Sequence, residues 1–298
     1  MNTIVRRGAL VAAVLAVAAA IPLAGAAGRA ARSAKPGAVL IQTPDGRPLT
    51  LTFSDEFERF RPLHAAGGGV WRTTFGDGRV DDLDQRTIRK NGELQLYVDP
   101  AMRHAGKTVG LDPFSVSDGV LEITANTLAP EQSAHLGGYG FSSGLITTQP
   151  SFSQRYGYFE MRAALPAGKG LWPAFWMLAA DNSWPPEIDV MENIGDPRRA
   201  YVTAHSSTRK AEGIEVALSN QAFHTFAVAW DPQTLVWFVD GAEVGRQPTP
   251  SDMHKPMYLV ANLAIGGGWA GPPNAETRWP AKLRIDYIRA YRFTRDPV

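Results

Sequence analysis

The sequence predicts an all-β sandwich of two antiparallel sheets, and three observations carry that prediction. From about Leu49 onward, short runs of alternating apolar and polar residues are separated by Gly, Pro, Asn and Asp, as in antiparallel strands with one face packed and one wet. Asp240-Gly241 stands between two such runs and is the strongest short-range hairpin signal in the chain. Long helical periodicity is missing.

The elements follow in order. Arg6 and Arg7 precede an apolar run from Gly8 to Leu23, and the small residues Ala24, Gly25 and Ala26 come next. This is the layout of a signal peptide over residues 1–26, with export by a general or a twin-arginine route. The apolar run is shorter than the roughly 20 residues a spanning helix needs, so a secreted or periplasmic protein with no membrane attachment after cleavage is expected. Residues 27–44, rich in Ala, Gly, Arg, Ser, Lys and Pro, read as a flexible leader. Residues 45–298 show no composition break and no repeat, and read as one domain.

Within that domain the strand candidates are Val120 to Ala125, Gly157 to Ala164, Phe226 to Trp230, Leu235 to Val239, Met257 to Ile265 and Leu283 to Phe293. In the last of these, Leu283, Ile285, Tyr287, Tyr291 and Phe293 are expected on one face, with Lys282, Arg284, Asp286 and Arg292 on the other.

Composition excludes several functions. With 30 basic and 29 acidic side chains the net charge is +1, which gives no field for nucleic acid or an anionic membrane. The chain has no cysteine, so thiol catalysis is excluded and an exported fold must rest on a large core or a metal instead of disulfides.

The stretch Trp184-Pro185-Pro186-Glu187-Ile188-Asp189-Val190-Met191-Glu192-Asn193 holds the chemistry. On a regular strand Glu187 and Asp189 share a face and Glu192 points the other way. One β-bulge near Val190 or Met191 brings all three acids to one side. Carboxylates crowded on one face repel each other, a cost that stability does not explain. Retaining glycosidases use such a pair about 5–5.5 Å apart, one carboxyl attacking the anomeric carbon and one protonating the leaving oxygen. Asp189 between them would hydrogen-bond the attacking group and hold the two pKa values apart. A solvated acidic strand of a binding module is the competing reading of the same residues.

The segment Glu187-Ile188-Asp189-Val190-Met191-Glu192 resembles the active-site strand of family 16 glycoside hydrolases, in the bulged version of laminarinase-like and bacterial exopolysaccharide-degrading members. Phe53-Ser54-Asp55-Glu56-Phe57, Tyr156 to Arg162, Gly170 to Trp176, Phe223 to Trp230, the Val236 to Gly241 hairpin and Asp286 to Tyr291 fit the family in order. The resemblance implies a β-jelly-roll with a cleft across a concave sheet, retaining endo-hydrolysis of a β-1,3 or mixed β-1,3/1,4-glucan or a succinoglycan-type exopolysaccharide, and no cofactor in the reaction. It assigns Glu187 as nucleophile, Asp189 as its supporting acid and Glu192 as general acid/base.

Sugar clefts are paved with aromatic rings and edged by hydrogen-bonding groups. The resemblance places Trp172, Trp176, Trp184 and Trp269 on cleft walls, and Asn91, Arg162 and His205 as polar contacts. Asp286 occupies the position of an acid that holds a structural calcium in some members. A polysaccharide is the expected partner of a monomer. A transglycosylase at the same site and a non-catalytic glycan-binding protein are the alternatives.

Overall fold

The computed structural model describes residues 40–63, 68–76, 79, 81–220 and 222–294. The expected signal peptide and most of the expected leader lie outside these residues. The end of that leader is not loose: Thr43 Oγ1 accepts from the Arg47 amide at 2.8 Å, and Leu40 packs against an apolar cluster containing Tyr158 and Tyr291. The folded unit therefore already includes Leu40 instead of starting at residue 45.

The architecture is a β-jelly-roll sandwich. One sheet runs, in spatial order, Ile214–Ala217, Arg199–His205, Glu187–Glu192, Leu171–Ala179, Met257–Ile265 and Leu145–Thr147. The opposing sheet runs Ala242–Pro248, Thr234–Val239, His224–Trp230, Gly157–Ala164, Ala281–Phe293, Val120–Thr127, Phe141–Ser143 and Gln95–Tyr97, with Leu49–Asp55 and Phe114–Ser117 also paired to it. The ladders are antiparallel as expected, except that Gln95–Tyr97 pairs parallel with Phe141–Ser143.

Alternation explains the layering. Phe159, Met161 and Ala163 point from one sheet into the shared core, and Phe175, Met177, Leu259, Ala261 and Leu263 meet them from the other. Each fully buried large apolar side chain contributes roughly 1.5–3 kcal/mol, which is how a chain without cysteine holds together. Asp240 (φ 49°) and Gly241 (φ 79°) make the expected hairpin turn, both with the positive φ that a type I′ turn requires.

One expectation fails in the last strand. Its register slips between Ile285 and Tyr287, so Asp286 is an extra residue and the faces exchange there. Leu283 and Ile285 are in the inter-sheet core, and beyond the bulge Ile288 and Ala290 take their place. Tyr291 belongs to a separate cluster with Phe293 packed against it, on the outer side of the sheet.

Candidate active site

The strand Glu187–Glu192 lies between Leu171–Ala179 and Arg199–His205, and its register carries the expected bulge. Ala174 faces Glu192, Phe175 faces Met191 and Trp176 faces Asp189, which leaves Val190 without an opposite residue. On the other edge Asp189 faces Thr203 and Glu192 faces Tyr201, so Val190 and Met191 stand opposite the single residue Val202. The parity change turns Ile188, Val190 and Met191 into the core, while Glu187, Asp189 and Glu192 line one cleft of about 760 Å³. A bulge takes backbone groups out of the ladder. Here the Asp189 carbonyl accepts from the Trp237 indole N–H at 3.0 Å, a side chain that reaches across the core from the opposing sheet.

Each glutamate has its own tryptophan donor. Trp172 Nε1 donates to Glu192 Oε1 at 2.9 Å, and Trp184 Nε1 donates to Glu187 Oε2 at 2.9 Å. His205, directly across the ladder from Glu187, places Nε2 3.1 Å from Asp189 Oδ2 and 3.8 Å from Glu187 Oε1.

Burial is the first cause of every pKa shift in the cluster. It pushes Glu192 up to about 7, with the Glu187 charge adding to the rise and the Trp172 hydrogen bond opposing it. Glu187 is also raised by burial, against the pull of His205, Trp184 and Asp189. Asp189 is raised well above the usual carboxylate range by burial and by its two acidic neighbours. The cluster thus holds protons near neutrality and titrates as a coupled unit. A protonated Asp189 donating to Glu187 keeps the negative charge on Glu187, and a carboxyl near 7 on Glu192 suits proton delivery at neutral pH.

The aromatic residues surround this cluster. Trp176 is buried in the cleft floor with its N–H on Asn262 Oδ1 at 2.7 Å. Trp184 and Trp269 are 67% and 42% exposed, so their rings are free to meet a ligand. Trp269 meets Trp172 and Tyr201 edge-on, with centroid separations of 5.6 and 4.9 Å. Gly267 makes this packing possible: its φ is +87°, and a Cβ there would sit 2.7 Å from the Trp172 ring. The glycine run itself forms one helical turn, Gly267–Ala270. Asn91 lines the same cleft, its amide 3.4 Å from Glu93 Oε1.

One expected sugar contact is elsewhere. Arg162 is on the opposing sheet, on the face of its strand away from Met161 and Ala163, where its guanidinium covers the Phe223 ring and pairs with Asp286 at 2.7 Å. The alternation of the strand, buried at Met161 and Ala163, sends Arg162 outward. Asp286, expected as a calcium ligand, lies outside the cleft, and its Oδ2 accepts from that arginine at 2.7 Å. Among the described residues the cluster with metal-binding spacing is Glu187, Asp189 and His205.

Comparison with known proteins identifies the family. Residues 101–289 match the glycosyl hydrolases family 16. The chain belongs to family 16. It is 42% identical over 260 residues to the endo-1,3-1,4-beta-glycanase EglC of Rhizobium meliloti, an alignment covering 85% of this chain and 54% of that protein. It is 33% identical to a beta-glucanase of Rhodothermus marinus, covering 68% of this chain and 75% of the other. The chain thus spans about half the length of the first curated relative. Among solved structures, the endo-beta-1,3-glucanase of Pyrococcus furiosus superposes with a TM-score of 0.69 at 29% identity, covering 85% and 98% of the two chains.

The cleft of this family 16 member also holds residues that sequence reasoning passed over. Asn262 stands alone as a polar side chain in the buried run Met257–Ile265, and that was its signal. Its amide donates to the Tyr97 hydroxyl at 3.0 Å. The Tyr97 hydroxyl lies 3.4 Å from Glu93 Oε2, which also accepts from Gln95 Nε2 at 2.7 Å and from the Ile88 amide at 3.0 Å. This chain of hydrogen bonds fixes the floor under Trp176. The two-residue spacing of Glu93, Gln95 and Tyr97 is visible in the sequence, but its meaning depends on a partner strand far away in the chain.

Proposed function

We propose that the protein is a secreted or periplasmic retaining endo-hydrolase of β-1,3 or mixed β-1,3/1,4-linked glucan, or of a succinoglycan-type exopolysaccharide. The observation that carries this reading is the bulge at Val190. It sets two glutamates on one cleft face with an aspartic acid between them, each glutamate held by a separate indole donor.

Glu187 attacks the anomeric carbon while Glu192 gives its proton to the departing glycosidic oxygen, and the bond between sugar and oxygen breaks. Glu192, now ionised, takes a proton from water. That water displaces Glu187 from the anomeric carbon and restores both carboxyls with retained configuration. Asp189 hydrogen-bonds Glu187 throughout, and Trp184 and Trp269 offer ring faces to the sugars. The reaction needs no cofactor, and the chain works as a monomer. The linkage classes come from the endo-1,3-1,4-beta-glycanase and beta-glucanase relatives.

Reducing-end release and product profiling on laminarin, barley mixed-linkage glucan, succinoglycan and agarose test the reading. A ladder of oligosaccharides from one of the first three substrates is expected, reduced about 10⁴-fold or more in Glu187→Gln. Products longer than an oligosaccharide input would make the enzyme a transglycosylase. Tight binding without cleavage would leave a glycan-binding protein.

A further inference from the structure

We propose that Glu187, Asp189 and His205 form a binding site for a divalent transition-metal ion of the zinc class, built over the attacking carboxylate. One donor atom from each residue lies within 4.8 Å of the other two. His205 Nε2 stands 3.1 Å from Asp189 Oδ2 and 3.8 Å from Glu187 Oε1. Ligand atoms about 2.0–2.2 Å from a tetrahedral zinc ion are roughly 3.3–3.6 Å apart, a range those two separations bracket.

A second observation points to a ligand. Asp189 is 2% exposed, and among the described residues no N–H or O–H donor is directed at its Oδ2. A buried acceptor left without a donor costs about 1–3 kcal/mol. An ion bound between the carboxyls satisfies that oxygen and screens the repulsion among the acids. The donor set decides the kind of ion: one imidazole and two carboxylates suit zinc, copper(II) or nickel(II), whereas calcium wants six to eight oxygens. The His205 side chain is 37% exposed and that of Glu187 15%, so the site opens to the cleft and leaves a coordination position for water. The ladder that pairs Glu187 with His205 and the Trp237 bond behind Asp189 hold the ligands in place.

Binding goes beyond the hydrolase reading; its consequence, displacement of the glycan by the ion, rests on that reading. The test is calorimetric titration of tag-free protein with zinc chloride in a non-coordinating buffer, alongside inhibition of glycan cleavage. One ion per chain is expected. His205→Ala and Glu187→Gln should each weaken it at least about tenfold, and Glu192→Gln should leave it within about twofold. His135→Ala controls for the surface pair His104 and His135, whose rings are 5.2 Å apart, and should change nothing. Zinc should raise the melting temperature of the wild type and of Glu192→Gln, but not of His205→Ala, which separates a lost ligand from a lost fold. No binding by the wild type, loss of binding in His135→Ala, or equal weakening in Glu192→Gln would overturn the site. Zinc binding by a wild type that cleaves no glycan would overturn the hydrolase reading and leave the metal site standing.

Discussion

Replacing Trp172 by Phe keeps an aromatic ring and deletes one donor, the indole N–H that reaches Glu192 Oε1 at 2.9 Å. That bond stabilises the ionised form of Glu192 and holds its pKa below the value burial alone would impose. A hydrogen bond to a charged group contributes roughly 1.5–3 kcal/mol, and about 1.4 kcal/mol corresponds to one pKa unit. With Trp172 half-buried at the cleft wall, the lower end of that range applies, so Glu192 should rise by about one unit. The general acid must be protonated to work, so activity falls as pH rises through its pKa. The alkaline limb of kcat/KM reports that value in the free enzyme. Initial rates on a soluble glucan across the pH range should therefore show the alkaline limb of the variant moved upward by about one unit, with a lower plateau from the altered ring. An unmoved limb, or one moved to lower pH, would refute the assignment of Glu192 as the acid held by Trp172.

Other perturbations test the frame around the acids. Deleting Val190 removes the extra residue of the bulge, turns Glu192 toward the core, and should abolish cleavage while lowering the melting temperature; an active, stable deletion would show that the bulge does not set the site. Trp237→Phe strips the donor from the buried Asp189 carbonyl and should cost about 1–3 kcal/mol in a urea titration. Its kcat should fall more than its KM rises, and loss of stability with an intact kcat would disconnect the bulge from that bond. Glu160 lies outside the cleft, accepts from the Tyr291 hydroxyl at 3.1 Å, and is pushed by burial from 4.5 to about 7. Because its folded-state pKa lies above the unfolded one, its protonated form favours folding: stability is fully present below about 4.5 and falls as pH rises to about 7, by up to about 3 kcal/mol. Glu160→Gln should flatten that pH dependence in chemical denaturation, and an unchanged slope would show that Glu160 stays ionised throughout.

Much of the site was legible because parity arguments need no distant partner. Glu187 and Glu192 are five residues apart, so bringing both into one cleft demands one extra residue between them, and the register supplies it at Val190. The same reasoning misplaced the last strand because nothing in Ala281–Phe293 announces the slip at Asp286. Val190 was conspicuous because acids bracket it, whereas Asp286 sits in a strand whose two faces are both largely covered. Arg162 is a failure of another kind. A strand buried at nearly every position does not show which of the two sheets it joins, and Arg162 follows its strand into the sheet opposite the cleft. Glu93 and Asn262 act together through Tyr97 although they are far apart in the chain, and such pairing emerges only when the strands are set side by side.

The two indole donors link properties that protein engineers prefer to vary separately. Trp172 and Trp184 each present a ring on the cleft wall and a proton donor to a different glutamate of the acid cluster. A substitution at either position chosen to alter which polysaccharide is accepted also shifts the working pH. Libraries aimed at new specificity should therefore be screened over a range of buffers, so that a change in recognition is not confused with a displaced pH profile.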